Sequence, residues 1–115
     1  MAQQLLLDLY GCEPSLLDDA KTLSTVAHRI AQSIGATILE ENLHRFEPMG
    51  ITYIAILSCS HMSIHTWPEL GYVSLDVFSC AGDIPDSVCA EATRAFCASS
   101  DRARIVERHV GRSAP

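Results

Sequence analysis

Residues 51–78 read ITYIAILSCSHMSIHTWPELGYVSLDVF, and the periodicity of this stretch decides the fold. Ile51 to Leu57 is continuous, apolar and rich in β-branched side chains, which predicts a central strand. Ile64 to Trp67 and Tyr72 to Phe78 predict two more strands, separated by the turn signal Pro68-Glu69-Leu70-Gly71. Outward on the N-terminal side, Pro48-Met49-Gly50 marks a turn, Thr37 to Phe46 a strand, and Leu5 to Tyr10 a buried strand bounded by Gly11 and Pro14. Between those two strands, Leu16, Leu23, Val26, Ala27, Ile30 and Ile34 recur at helical spacing. Ser15 is the expected N-cap, Asp18 and Asp19 suit the first turn of that helix, and Gly35 is expected to close it. On the C-terminal side, Pro85 opens a second helix carrying Val88, Cys89, Ala92, Ala95 and Phe96. Ala103 to Val110 is a last strand, and residues 112–115 form a frayed tail. The order β-α-β-β-β-β-α-β predicts an α+β two-layer sandwich, a mostly antiparallel sheet with two helices on one face.

A chain of 115 residues forms one domain, with a core small enough that an oligomer would be unsurprising. The net charge of −6, with only eight Lys and Arg, argues against nucleic-acid binding, which needs clustered cations. Arg102, Arg104, Arg108 and Arg112 form the tightest basic group, which reads as a solvated edge able at most to hold one anion. No apolar run approaches the roughly 20 residues of a membrane span, and the first residues lack the basic region of a signal peptide. A cytosolic location is therefore expected. Five cysteines without a CxxC pair fit free thiols better than a disulfide framework or a zinc site.

The chemistry-bearing residues cluster between positions 58 and 80. His61 and His65 would share a helix face and could chelate a metal there. Pro68 and the neighbouring β-branched residues favour a strand instead, on which the two lie about 13 Å apart, too far for one ion. Ser60, His65 and Asp76 could be assembled into a hydrolytic triad, but no Gly-x-Ser-x-Gly elbow surrounds Ser60. A nucleophilic Cys59 or Cys80 with a histidine is equally open from spacing alone. The plain alternative is a polar strand end with satisfied histidines.

Longer motifs narrow the choice. Phe46-Glu47-Pro48-Met49-Gly50, an apolar strand, then Ser60-His61-Met62-Ser63-Ile64-His65-Thr66-Trp67-Pro68-Glu69, Gly71-Tyr72 and Asp76-Val77-Phe78-Ser79-Cys80 follow one another in order. With the opening strand Leu7-Asp8-Leu9-Tyr10-Gly11-Cys12, this pattern resembles the prokaryotic short form of the S-adenosylmethionine decarboxylase proenzymes over nearly the whole chain. The resemblance implies self-cleavage between Cys59 and Ser60 into chains of residues 1–59 and 60–115. The Ser60 hydroxyl would attack the Cys59 carbonyl, and His65 would remove the Ser60 α-proton. The dehydroalanine so formed would hydrolyse to a pyruvoyl group and ammonia. That pyruvoyl is the implied cofactor, an electron sink that takes up the substrate amine as a Schiff base. Cys80 is implied to return a proton to the α-carbon, a task within reach of a thiol with an ordinary pKa of about 8.5. Phe46 is implied to stack on adenine and Glu69 to hold the ribose hydroxyls. The implied partners are the small-molecule substrate and a second copy of the chain, in a dimer of cleaved protomers. The product would feed spermidine synthesis.

Departures from the family pattern keep two other readings in view. Cys59 stands where glutamate is expected before the cleaved bond, and Thr52 where a serine is expected. Ser79-Cys80-Ala81-Gly82 replaces Thr-Cys-Gly, and His109-Val110-Gly111 lacks an arginine before the glycine. One alternative is a pyruvoyl-dependent decarboxylase of arginine or ornithine; the other is an uncleaved, non-catalytic partner subunit.

Overall fold

In this computed structural model the chain runs β1 (Ala2–Tyr10), α1 (Pro14–Leu17), α2 (Ala20–Ser33), β2 (Ile38–Arg45), β3 (Ile51–Leu57), β4 (Ser60–Trp67), a 3-10 turn at Pro68–Leu70, β5 (Tyr72–Ser79), α3 (Ser87–Ala95) and β6 (Ser100–Arg108). The structure describes residues 1–111 and 113; Arg112, Ala114 and Pro115, on which part of the frayed-tail expectation falls, lie outside it. The six strands form a single antiparallel sheet in the order β2-β3-β4-β5-β1-β6. Both main helices pack on one face, as the sandwich expectation required.

Strict alternation decides which face each side chain takes. Met62, Ile64 and Thr66 of β4 point inward with Tyr53 and Ala55 of β3, Val73, Leu75 and Val77 of β5, and Leu5, Leu7 and Leu9 of β1. Leu23, Val26, Ala27 and Ile30 of α2, with Val88, Ala92 and Phe96 at α3, complete that core. The other face carries His61, Ser63, His65 and Trp67, and among the described residues no helix covers it. β3 is therefore an interior strand with one open face: Ile54 and Ile56 are 45% and 47% exposed. β4 begins four residues earlier than Ile64, because Leu57 pairs with Ser60 across a two-residue turn, Ser58-Cys59. β6 starts at Ser100 rather than Ala103 and ends at Arg108, paired along its whole length with β1.

The long first helix predicted from Ser15 to Ile34 is broken. Asp18 and Asp19 leave helical geometry, so the single turn α1 precedes α2. Ser15 is not an N-cap: Glu13 holds that position, and the Ser15 hydroxyl donates to its carboxylate at 3.4 Å. Asp19 instead caps α2, its carbonyl accepting the Thr22 N–H and its carboxylate the Thr22 hydroxyl at 2.7 Å. That hydroxyl hydrogen bond holds the Asp19 carboxyl below its usual range. The physical reason for the break is packing. It lets both Leu17 and Leu23 reach the core, and it frees Asp18 Oδ1 to accept the Gly50 N–H at 2.9 Å. Gly35 does follow the C-cap of α2 with φ of +71°.

Thr66 fastens α1 to the sheet. Its buried hydroxyl donates to the Leu17 carbonyl at 2.7 Å and accepts the Ile51 N–H at 3.0 Å. Thr66→Val keeps the shape and strands two buried polar groups, each normally costly. A loss of about 2 kcal/mol in unfolding free energy is expected, read as a lower denaturant midpoint at unchanged slope.

Candidate active site

The six residues singled out from the sequence fall into two groups at opposite ends of β4. Cys59, Ser60 and Cys80 lie at its start, and Phe46, His65 and Glu69 gather near its end. Ser60 and His65 are five residues apart on one extended strand, about 16 Å. Within one chain they are not brought together.

At the first end, the Ser58-Cys59 turn is pinned by a bond from the Ser58 N–H to the Thr37 carbonyl at 2.8 Å, and from the Thr37 N–H to the Ser58 hydroxyl at 2.9 Å. Ser60 follows with φ of +129°, a conformation that non-glycine residues rarely adopt and that costs about 1–3 kcal/mol. The Cys59 carbonyl, immediately before it, accepts two donors from one residue: the Cys80 N–H at 3.0 Å and the Cys80 thiol at 3.3 Å. The Cys59 side chain points inward, buried, with Sγ 3.7 Å from the Ser79 hydroxyl. Ser79 Oγ in turn accepts the Ala81 N–H at 3.2 Å, holding the start of the loop after β5. A strained serine beside a carbonyl fitted with two donors is an arrangement suited to attack on that carbonyl, because the donors meet negative charge as it develops on oxygen.

At the other end lies a cavity of about 280 Å³ lined by Phe46, Met49, Gly50, Thr52, His65, Thr66, Trp67 and Glu69. The loop that carries Phe46 is closed by its N–H on the Gly50 carbonyl at 2.8 Å. Gly50 has φ of +105°, and a Cβ there would come within 3.2 Å of the Thr66 carbonyl, so the close approach of the two strands depends on glycine. Thr52 and His65 face each other across β3 and β4, with Thr52 Oγ1 3.0 Å from His65 Nδ1. The hydroxyl that the family pattern expects from serine is thus supplied by threonine and fixes the imidazole ring.

An aromatic row runs on from His65 over the open face: Trp67 at 6.4 Å between ring centroids, then Tyr72 at 5.3 Å and Tyr10 at 5.5 Å. Burial, and then a hydrogen bond to the Asp8 carboxylate, raise the Tyr72 phenol above its ordinary pKa. Trp67 and Met49 were not singled out from the sequence. The period of two along β4 carries the signal for Trp67, since it places that ring on the face of His65.

A profile described as S-adenosylmethionine decarboxylase matches residues 3–109. The chain belongs to the S-adenosylmethionine decarboxylase family. The S-adenosylmethionine decarboxylase proenzyme of Parasynechococcus marenigrum (strain WH8102) is 47% identical over 92 residues, covering 78% of this chain and 71% of the relative. That of Moorella thermoacetica (strain ATCC 39073 / JCM 9320) is 37% identical over 111 residues, covering 96% and 89%. The crystal structure of the adenosylmethionine decarboxylase from Aquifex aeolicus VF5 superposes with a TM-score of 0.81 at 26% identity, covering 100% of this chain and 96% of that one. The two-layer fold is therefore the family's fold, and both residue groups lie within the matched stretch.

Proposed function

We propose that this chain cuts itself between Cys59 and Ser60 and then decarboxylates S-adenosylmethionine. The observation that carries the reading is the Cys59 carbonyl, held by both donors of Cys80 beside a serine with φ of +129°. The Ser60 hydroxyl adds to that carbonyl. The charge that builds on oxygen meets the Cys80 N–H and thiol, and the Ser60 nitrogen leaves as an amine, converting the peptide bond into an ester. Part of the backbone strain at Ser60 is released in that step, which helps an otherwise uphill rearrangement. A base then takes the Ser60 α-proton, the ester oxygen departs with Cys59 as a carboxylate, and hydrolysis of the remainder releases ammonia.

His65 supports the role of base chemically, because a neutral imidazole suits proton abstraction near pH 7. Its place about 16 Å along β4 from Ser60 supports its acting on a second copy of the chain. The open sheet face supports such a dimer: it presents His61, His65, Trp67, Ile54 and Ile56 with no helix above them. A two-fold pairing would bring the Ser60 end of one chain to the His65 end of the other, giving two equivalent sites. A single-chain cavity of about 280 Å³ is at the small end for a nucleoside ligand and would be completed in this way.

The residues present fit a pyruvoyl group at position 60. β5 pairs with that end of β4, Ser79 lies opposite, and Cys80 follows directly after that strand. Such a group supplies an electrophilic ketone that withdraws the electron pair left when carbon dioxide departs. Cys80 holds a proton on Sγ for return to the substrate carbon. Phe46 and Trp67 offer π-faces to the adenine and the sulfonium charge, and Glu69 offers a carboxylate to the ribose. Aromatic walls with one carboxylate favour a nucleoside over arginine or ornithine, and the relatives' names agree. The decarboxylated product is an aminopropyl donor suited to spermidine synthesis. A cytosolic setting is supported by the five unpaired thiols; among the described residues no helix is long and apolar enough to cross a membrane.

The intact mass of the denatured protein tests the reading. Two species are expected, residues 1–59 and residues 60–115 with a blocked, carbonyl-bearing N-terminus. A single full-length mass that persists on long incubation would sink it and favour the uncleaved partner subunit.

A further inference from the structure

Cys59 and Cys80 continue the antiparallel register beyond the ends of β4 and β5. Ser60 pairs with Ser79, so the next pair outward sets Cys59 opposite Cys80. The Cys80 N–H still reaches the Cys59 carbonyl at 3.0 Å, so the backbones have not separated there. Residues directly opposed in an antiparallel pair have Cα atoms about 4.5–5.5 Å apart. That separation lies inside the roughly 4.4–6.8 Å that a disulfide spans. Cys80 is exposed, with Sγ 3.3 Å from the Cys59 carbonyl oxygen. Cys59 Sγ lies on the buried side, 3.7 Å from Ser79 Oγ, so closing the bond requires the Ser58-Cys59 turn to shift and bring the sulfur toward Cys80.

We propose that Cys59 and Cys80 form a reversible disulfide that switches the site off under oxidation. The inference rests on the reading of Ser60 and Cys80 given above and adds its regulation. With hydrogen peroxide as oxidant, both thiols lose their hydrogens, one S–S bond forms and the peroxide is reduced to two waters; a dithiol reverses the change. The bond removes the Cys80 thiol both as a donor to the Cys59 carbonyl and as the proton source. In the cleaved protein it ties the new C-terminus of residues 1–59 to the chain that starts at residue 60. The pairing depends on the cysteine at position 59, where the family pattern described above expects glutamate. Of the other thiols, Cys12 is pushed up to about 11 by burial and by neighbouring Cys97, and burial also raises Cys89. Both are thereby made poorer nucleophiles.

The test treats the purified cleaved protein with hydrogen peroxide, alkylates remaining thiols, and measures the intact mass under denaturing conditions without reductant. The expected result is one species, the sum of both chains less two hydrogens and plus one alkyl group on each of Cys12, Cys89 and Cys97, which returns to two on reduction. Peptide mapping is expected to place the link at Cys59–Cys80, and Cys59→Ala is expected to abolish it. Decarboxylation is expected to fall about 10²-fold on oxidation and to recover with reductant. Alkylation of both Cys59 and Cys80 after oxidation would overturn the proposal, as would a link mapped only to Cys12–Cys97. If the protein stays uncleaved, a Cys89→Ser background keeps the two questions apart. There a tryptic fragment 46–94 lighter by two hydrogens upholds the disulfide while the cleavage reading fails, and an unchanged fragment overturns the disulfide.

Discussion

Co-expression of Ser60→Ala and His65→Ala chains is expected to restore about a quarter of wild-type decarboxylation, where each variant alone gives none. The expectation follows from the length of β4. Five extended residues separate Ser60 from His65, about 16 Å, and no turn in the strand shortens the path. If the serine of one chain is served by the histidine of another, random pairing makes half of the dimers mixed. In each mixed dimer, one site carries both substitutions and the other carries neither. Half of the sites in half of the dimers is about one quarter. The same mixture should show cleavage only of the His65→Ala chain, because that chain keeps its own Ser60 and borrows the intact His65. Mass spectrometry separates the two chains, so the pattern is read directly. Activity and cleavage both absent from the mixture, with dimers present, would mean that His65 serves the Ser60 of its own chain.

Much of the fold was legible because its signals are local. Apolar, β-branched runs within residues 51–78 mark three strands, and Pro68 to Gly71 and Pro48 to Gly50 mark the turns. The break at Asp18 and Asp19 was not legible, since its cause lies far away in sequence. Asp18 is drawn to the Gly50 N–H, and Leu17 to the core and the Thr66 hydroxyl. For the candidate site the sequence offers a set of residues and not their arrangement. Motif spacing names Ser60 and His65 together, while only the straight run of β4 shows that one chain holds them apart. The two donors on the Cys59 carbonyl were hidden for a similar reason. They depend on the register of β5 against β4, which no local pattern states.

Replacing Cys80 is expected to separate two roles that one residue now combines. Cys80→Ala removes the thiol but leaves the backbone N–H that donates to the Cys59 carbonyl at 3.0 Å. A thiol at 3.3 Å is a weak donor, so cleavage should slow by about tenfold and still reach completion. Turnover by the cleaved protein should fall much further, by about 10²–10⁴ in kcat with KM little changed, because the proton source is lost and the binding residues are not. Cys80→Ser restores a hydroxyl that can donate to the carbonyl, and a hydroxyl is a far poorer acid than a thiol. Cleavage in that variant should return toward the wild-type rate while kcat stays low. The half-time of cleavage by intact mass and kcat on fully cleaved protein are the two readings. Their divergence in Cys80→Ser is the decisive outcome. Near wild-type turnover there would assign the proton to another group and leave Cys80 with the carbonyl alone.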